Sequence, residues 1–236
     1  MSDAKRVRMS ANERREQLVG VARTVFAERG FEAATVEEIA DRAGVSKPVI
    51  YQHFGGKEGM YAVVVDREVT SLTTRITGAL DVVHPKLAAQ GAADAFLGYI
   101  EECEEGFRVL LRDAPAGMSG GTFASVIADV AASAEGLLLD EFPERGFDED
   151  TAPMYARMLV GAVALVGEWW MEVREPSREV VATHVVNLLW NGLKGLEPEP
   201  RRMPAPPARS PSPTSPPPLR LAEAPEEDPP ASAPSP

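Results

Sequence analysis

The fold of this chain is decided by the stretch TVEEIADRAGVSKPVIYQHF, residues Thr35–Phe54. Thr35 and Glu38 have the spacing of a capping box that opens a short helix. Gly44 can end that helix, and Ser46 can cap a second one. A short helix, a glycine turn and a second helix predict a helix–turn–helix, although a generic three-helix packing unit would show the same pattern.

The second helix of this unit has one apolar and one polar face. Val45, Val49 and Ile50 supply a buried face. The remaining side chains are then directed to solvent, which in a helix–turn–helix means the major groove of DNA. These side chains are Ser46, Lys47, Pro48, Tyr51, Gln52 and His53.

Helical periodicity continues on both sides of this unit and predicts an all-α fold. Upstream, the capping box Ser10–Glu13 begins a helix whose apolar positions recur at helical spacing until Gly30. Downstream, a helix begins near Lys57 and runs to about Leu80. Further helices are predicted at roughly 86–104, 105–112, 122–141, 151–174 and 177–194, separated by proline- and glycine-containing loops.

The last two predicted helices are apolar around most of their circumference. A helix of this kind must be buried on two sides. One side can be the core of the chain, and the other is most simply a second subunit, so the sequence predicts a homodimer. The residues chosen for its interface are Val166, Val185, Leu189 and Trp190.

Charge and proline content divide the chain into three regions. The first 60 residues carry ten Lys and Arg against nine Asp and Glu, whereas residues 61–196 carry ten against 21. A nucleic-acid surface therefore belongs in the first region. Fifteen of the 21 prolines lie in residues 197–236, which predicts a disordered tail, read either as solvated chain or as a PxxP ligand.

The block from Arg14 to Glu68 resembles the DNA-binding domain of the TetR family of bacterial transcriptional regulators. The features that match are Phe26, Gly30, Phe31, TVxxIA at 35–40, AGVS at 43–46, Tyr51, His53–Phe54 and Lys57–Glu58. The rest of the body resembles the family's ligand-binding and dimerisation domain only in being helical and in ending with two apolar helices. The tail is not part of the family pattern.

This resemblance implies a DNA-binding domain at 10–70, with its helix–turn–helix at 35–54, and a ligand-binding and dimerisation domain at 71–196. It implies phosphate contacts by Thr35, Tyr51 and Lys57. The base-edge or backbone candidates are Ser46, Lys47, Pro48, Val49, Gln52 and His53. Gln52 can pair with adenine and Lys47 with guanine, or either can contact only the backbone. The basic residues at positions 5, 6 and 8 form either a DNA-tracking arm or an inert end.

Apolar and aromatic side chains at helical spacing in the acidic body either line a ligand cavity or form an ordinary core. The candidates for the cavity are Phe96, Tyr99, Ile100, Cys103, Phe107, Phe123, Ile127, Tyr155, Met158, Leu159, Val163, Glu168 and Trp170. Glu168 stands among apolar neighbours, so it contacts a ligand, a polar side chain or water. Because basic residues are widely spread over 86–174, a neutral or cationic hydrophobe is expected.

Other classes of protein find little support. The three His do not have the spacing of metal ligands, and the single Cys103 is interpreted as a packing residue. The sequence has neither the motif of a phosphate-binding loop nor that of a nucleophile elbow. No catalytic residue, cofactor or metal is therefore expected. Because no apolar run is long enough to span a bilayer and no secretory signal is visible, a cytoplasmic protein is predicted. The leading hypothesis is a homodimeric regulator, taken as a repressor, that a small apolar ligand releases from a palindromic operator. The alternative is an architectural DNA-binding protein without a ligand.

Overall fold

The computed structural model describes residues 10–112 and 123–201. The basic residues before Ser10, the segment 113–122 that was predicted as a loop, and the proline-rich segment from residue 202 onward that was predicted as disordered lie outside the described residues. No strand is present in the part of the chain that is described, which confirms the all-α prediction. Within it the chain forms helices α1 (Ala11–Ala33), α2 (Val36–Ala43), α3 (Lys47–Phe54), α4 (Lys57–Leu80), α5 (Pro85–Glu102), α6 (Glu104–Leu111), α7 (Phe123–Glu141), α8 (Ala152–Val173) and α9 (Arg178–Lys194).

Helix α1 begins as predicted and ends differently. The Ser10 N–H donates to the Glu13 carboxylate at 2.7 Å, and the Glu13 N–H donates to the Ser10 hydroxyl at 3.2 Å, which completes the capping box. Gly30, predicted to end the helix, instead interrupts it with a φ of 76°, and one more turn follows to Ala33. Glycine suits this position because it adopts a positive φ without steric cost.

Only half of the second predicted capping box is formed. The Thr35 hydroxyl accepts a hydrogen bond from the Glu38 N–H at 3.1 Å. The Glu38 carboxylate does not return to Thr35, because Arg42, one turn later, offers it a charged donor at 2.6 Å. Ser46 takes the N-cap position of α3, but its side chain makes no capping hydrogen bond there.

Helices α1 to α4 pack around one apolar cluster at the N-terminal end of the protein. Leu18, Phe26, Ile39 and Ile50 are all fully buried in it. Helix α2 packs on α1, and α3 packs on both α2 and α4. This arrangement holds α3 as the second helix of a helix–turn–helix with its polar face in solvent.

Helix α4 connects the N-terminal helices to the rest of the protein. It packs against α1 and α3 near its start and against α5, α6 and α7 along the remainder. The predicted domain boundary between residues 70 and 71 falls inside this helix, and the core continues across it. The assignment of separate domains therefore stays a prediction. Among the described helices, none is long and apolar enough to span a bilayer.

Candidate DNA-binding surface and ligand cavity

The exposed face of α3 carries the side chains predicted to meet DNA. Tyr51 is 55% exposed, and Gln52 is also exposed, one residue further along the helix. Val49 is partly buried and packs on the core, while Ile50 is completely buried. The helix therefore offers polar side chains and the phenol of Tyr51 to a partner while its apolar side fixes its position.

The first turn of α2 lies next to the first turn of α3. The Lys47 ammonium forms an ion pair with the Glu37 carboxylate, and both side chains are about half exposed. The hydrogen bond from Lys47 lowers the pKa of Glu37, so the carboxylate is ionised at neutral pH. Glu37 was not among the residues selected from the sequence, because a single acidic residue after a capping threonine looks like an ordinary helix start.

Lys57 has a structural partner that the sequence did not reveal. Its ammonium donates to the Phe31 carbonyl at 3.0 Å and to the Glu32 carbonyl at 3.4 Å, and it lies 4.3 Å from the centre of the Phe31 ring. It thus satisfies carbonyl groups at the end of α1. A phosphate contact by Lys57 stays a prediction, with this intramolecular role beside it.

Other cations of the N-terminal helices are paired within the protein. Arg42 contacts Glu28 at 2.8 Å and Glu38 at 2.6 Å, and Arg67 contacts Glu16 at 2.5 Å. The Arg42–Glu28 pair joins α2 to α1, and the Arg67–Glu16 pair joins α4 to α1. The positive charge that the N-terminal helices can offer to DNA is consequently smaller than their number of Lys and Arg residues suggests.

Arg15 is a basic residue next to α3 that the sequence analysis missed. Its guanidinium lies 5.0 Å from the centre of the Phe54 ring, at the C-terminal end of α3. Phe54 is partly buried and packs against the core. No pattern in the sequence signals this contact, which depends on the placement of α1 relative to α3 in the fold.

A cavity of about 460 Å³ lies among α4, α5, α7, α8 and α9. Its wall is almost entirely apolar. The cavity exists because α5 contributes small side chains, among them Ala88, Ala92 and Ala93. Larger residues of the other helices enclose it. A volume of this size and an apolar lining are typical of sites for small ligands.

The structure brings five of the thirteen predicted pocket residues to this cavity: Phe96, Phe123, Ile127, Leu159 and Val163. Three of the residues assigned to the dimer interface, Val185, Leu189 and Trp190, also line it. These three residues face the cavity because the inner face of α9 closes it, and their part in a dimer interface stays a prediction.

The other eight predicted pocket residues lie outside the cavity. Ile100 and Phe107 are buried core, and the Phe107 ring packs behind the cavity wall at 5.7 Å from Phe96 and 5.1 Å from Phe123, measured between ring centres. Cys103 lies at the junction of α5 and α6. Tyr155 packs behind Phe142, a wall residue, at 5.6 Å between ring centres.

Three of these eight point in other directions. Met158 and Glu168 are exposed on α8, so Glu168 meets water and gives no polar contact inside the cavity. Trp170 is buried, and its indole N–H donates to the Pro176 carbonyl at 2.8 Å, which fixes the turn between α8 and α9.

Tyr99, the last of the eight, belongs to a buried polar network between the two ends of the molecule. Its hydroxyl donates to the Glu68 carboxylate at 2.6 Å, and Glu68 is 4% exposed. Arg23 on α1 lies 3.4 Å from the other carboxylate oxygen. Burial and the hydrogen bond to Glu68 raise the pKa of Tyr99 far above its ordinary value, so the phenol stays a donor.

Charged residues gather at one end of the cavity. Glu141, Arg145 and Lys194 line it and are exposed, and Arg145 donates to the Leu193 carbonyl at 2.9 Å. Of the basic residues within 86–174, only Arg145 lines the cavity, in agreement with the predicted wide spread of basic residues over that range. The fold adds Lys194, 49 residues further along the chain, whose carbonyl oxygen accepts from Arg145 at 3.5 Å.

The outward faces of α8 and α9 carry exposed apolar side chains. On α8 Leu165 is 69% exposed and Trp169 is 49% exposed; on α9 Leu188 is 72% exposed. Leu189 was expected to point outward, but it faces the cavity. Leu188 takes the outward position in its place. Val166 is only partly buried and packs on the core.

A helix–turn–helix on the surface, joined to a helical body with an apolar cavity, defines a DNA-binding transcriptional regulator. The comparisons with known proteins give the family. Residues 18–64 match the model of bacterial regulatory proteins of the tetR family, and residues 87–192 match the tetracyclin repressor-like C-terminal domain. The chain therefore belongs to the TetR family of regulators.

Individual relatives agree with this assignment. The HTH-type transcriptional activator FasR of Mycolicibacterium smegmatis is 33% identical over 192 residues, which cover 79% of this chain and 85% of FasR. The HTH-type transcriptional repressor KstR2 of Rhodococcus jostii is 51% identical over 47 residues, 20% of this chain and 23% of KstR2. A TetR-like regulator from Rhodococcus sp. RHA1 superposes with a TM-score of 0.63 at 25% identity, over 80% of this chain and all of the other.

Proposed function

We propose that the protein is a homodimeric regulator that binds a palindromic operator through α3 and leaves it when a ligand fills the apolar cavity. The observation that carries the proposal is the 460 Å³ cavity in the helical body. A purely architectural protein has no use for a space of this size and would gain stability by filling it. The cavity therefore favours ligand-responsive regulation over the architectural alternative.

The ligand is an elongated hydrophobe with an anionic group at one end. The apolar wall can accept only the hydrocarbon part, because it offers few polar partners. Arg145 and Lys194 at one end exceed the charge of Glu141 by one unit, so they favour an anion there. This revises the neutral or cationic hydrophobe expected from the sequence.

The route from cavity to DNA runs through α6. The Phe107 ring on α6 supports the two wall residues Phe96 and Phe123 from behind. At its end, Arg112 donates to the Ala27 carbonyl of α1 at 2.9 Å. A ligand that displaces the wall can thus move α6 against α1 and change the position of α3. Release of DNA requires that the ligand bind the displaced conformer more tightly.

Dimerisation is proposed through the outward faces of α8 and α9. Their exposed apolar residues, including Leu165, Trp169 and Leu188, would be covered by the same faces of a second copy. Two copies would place two α3 helices on one side of DNA, as a palindromic operator requires.

Negative regulation stays a prediction. The relatives named KstR2 repressors match over only 47 to 55 residues, whereas FasR, which matches most of the chain, is named an activator. The proposal concerns operator occupancy, which a ligand can lower in either kind of regulator.

The test is to select bound sequences from random DNA and then to titrate the resulting complex with dodecanoate, dodecanol and dodecylamine below their aggregation concentrations. Release at the lowest concentration by dodecanoate is expected. The double variant Arg145→Ala/Lys194→Ala should lose the preference for dodecanoate over dodecanol while its affinity for DNA stays the same. Absence of release by all three probes would support the architectural alternative.

A further inference from the structure

The ion pair between Glu37 and Lys47 lies at the surface predicted to bind DNA, and it contributes little to stability. Glu37 lies in the first turn of α2 and Lys47 is the first residue of α3, and their side chains are 57% and 52% exposed. A pair with this exposure contributes roughly 0–1 kcal/mol to stability. Both side chains adjoin the surface formed by Thr35 and the polar face of α3.

A carboxylate at this position opposes DNA binding. In the proposed docking of α3 in the major groove, the exposed Glu37 carboxylate would lie beside the negatively charged DNA, and it already cancels the charge of Lys47. Arg42 and Arg67 pair instead with acidic residues that connect α2 and α4 to α1. Among the ion pairs of the described residues, the Glu37–Lys47 pair is the one that neutralises a cation of the recognition helix α3.

We propose that Glu37 is a specificity-determining residue, which holds Lys47 until an operator base pair supplies new partners for both side chains. This inference depends on the proposed docking of α3 in the major groove. A G·C pair presents there the guanine O6 and N7 acceptors and the cytosine N4 donor. The ammonium of Lys47 can donate to the guanine, and the carboxylate of Glu37 can accept from the cytosine.

Non-specific binding, which uses the phosphates and does not read base edges, does not complete this exchange. A phosphate satisfies Lys47, but it leaves Glu37 without a donor and next to negative charge. Glu37 therefore lowers the affinity for random DNA more than the affinity for the operator. The discrimination comes from a repulsive group that only the correct base pair can satisfy.

The experiment measures the affinity of Glu37→Gln for random DNA and for the selected operator between 0.05 and 0.3 M salt. The salt slope is the slope of log affinity against log salt concentration, and one freed cation that meets a phosphate makes it steeper by about 0.9. At 0.1 M salt this corresponds to binding of random DNA that is tighter by up to about eightfold. Operator affinity should change less, and the preference for G·C at one position of each half-site should weaken. Thermal unfolding of the variant checks that it is folded.

Two further variants separate the possible explanations. Asp66→Asn removes one negative charge from an exposed position of α4 where no ion pair is formed among the described residues, and it should change the affinity for random DNA much less. In the Lys47→Gln background, Glu37→Gln should produce a smaller gain, because no cation is released.

The outcomes are distinct. If Glu37→Gln leaves the random-DNA affinity within the change caused by Asp66→Asn, or weakens it, the role of Glu37 is refuted. If Lys47→Gln also leaves operator affinity and salt slope unchanged, the docking of α3 itself fails, and the proposed function fails with it.

Discussion

Replacing Tyr99 with Phe tests the buried network between the DNA-binding end and the cavity. The phenol donates at 2.6 Å to a carboxylate whose side chain is 5% exposed. Because Glu68 is shielded from water, loss of this donor leaves a buried charge with Arg23, 3.4 Å away, as its remaining side-chain partner. A hydrogen bond to a charged group contributes about 1.5–3 kcal/mol, so the free energy of unfolding should fall by about 2 kcal/mol.

The assay is urea unfolding followed by circular dichroism, with Tyr51→Phe as the matched control. Tyr51 is 55% exposed, so the same deletion there should change the free energy of unfolding by less than about 0.5 kcal/mol. In the double variant with Glu68→Gln, the cost of Tyr99→Phe should be smaller, because the acceptor is then neutral.

The difference between wild type and Tyr99→Phe should also depend on pH. Burial, followed by the hydrogen bond to Glu68, raises the pKa of Tyr99 in the folded state. An unfolded Tyr has a pKa of about 10. The stabilisation is therefore complete below pH 10 and declines above it, where only the unfolded chain releases the proton. Between pH 8 and 10.5 the difference should narrow by about 0.8 kcal/mol.

The proposed role of the Tyr99 phenol is refuted if Tyr99→Phe costs no more than Tyr51→Phe at pH 8. It is also refuted if the difference in unfolding free energy between wild type and Tyr99→Phe stays constant up to pH 10.5. Either result would mean that water or another donor replaces the phenol without loss.

Leu188→Asp should give monomers with weaker operator binding in sedimentation, whereas Leu189→Asp should chiefly lower the thermal midpoint, because it puts a charge into the cavity. Ala92→Leu should raise the free energy of unfolding by about 0.5–2 kcal/mol by filling the cavity, and it should weaken release of DNA by dodecanoate. Ser10→Ala should cost about 1 kcal/mol in urea unfolding through loss of the N-cap. Gln52→Ala should change base preference in a selection from random DNA without changing the salt slope.

Helix boundaries and the helix–turn–helix could be predicted because their signals are local. Ser10 and Glu13 stand three residues apart, and Gly44 adopts the left-handed conformation that ends α2. Such caps act within one turn and leave their mark in a few adjacent letters. Gly30 shows the limit, because a glycine that interrupts a helix and one that ends it look the same in the sequence.

The lining of the cavity depends on how each helix is rotated about its axis, which periodicity alone does not give. Leu188 and Leu189 differ by about 100° around α9, and the sequence does not say which one faces outward. Tyr99 and Phe96 stand one turn apart on α5, yet Phe96 reaches the cavity and Tyr99 reaches Glu68. Arg145 and Lys194 meet only through the fold.

The two faces of helix α9 limit how the ligand preference of the protein can change, in evolution or by design. Its inner face, with Val185 and Leu189, closes the cavity, while Leu188 projects outward beside them. A substitution on α9 that reshapes the cavity shifts the neighbouring outward residues, and with them any subunit association. The alanines of α5 carry no such double constraint, since they face the cavity from within the protein. A library for a sensor of a new compound should therefore vary positions 88, 89, 92 and 93 and leave α9 unchanged.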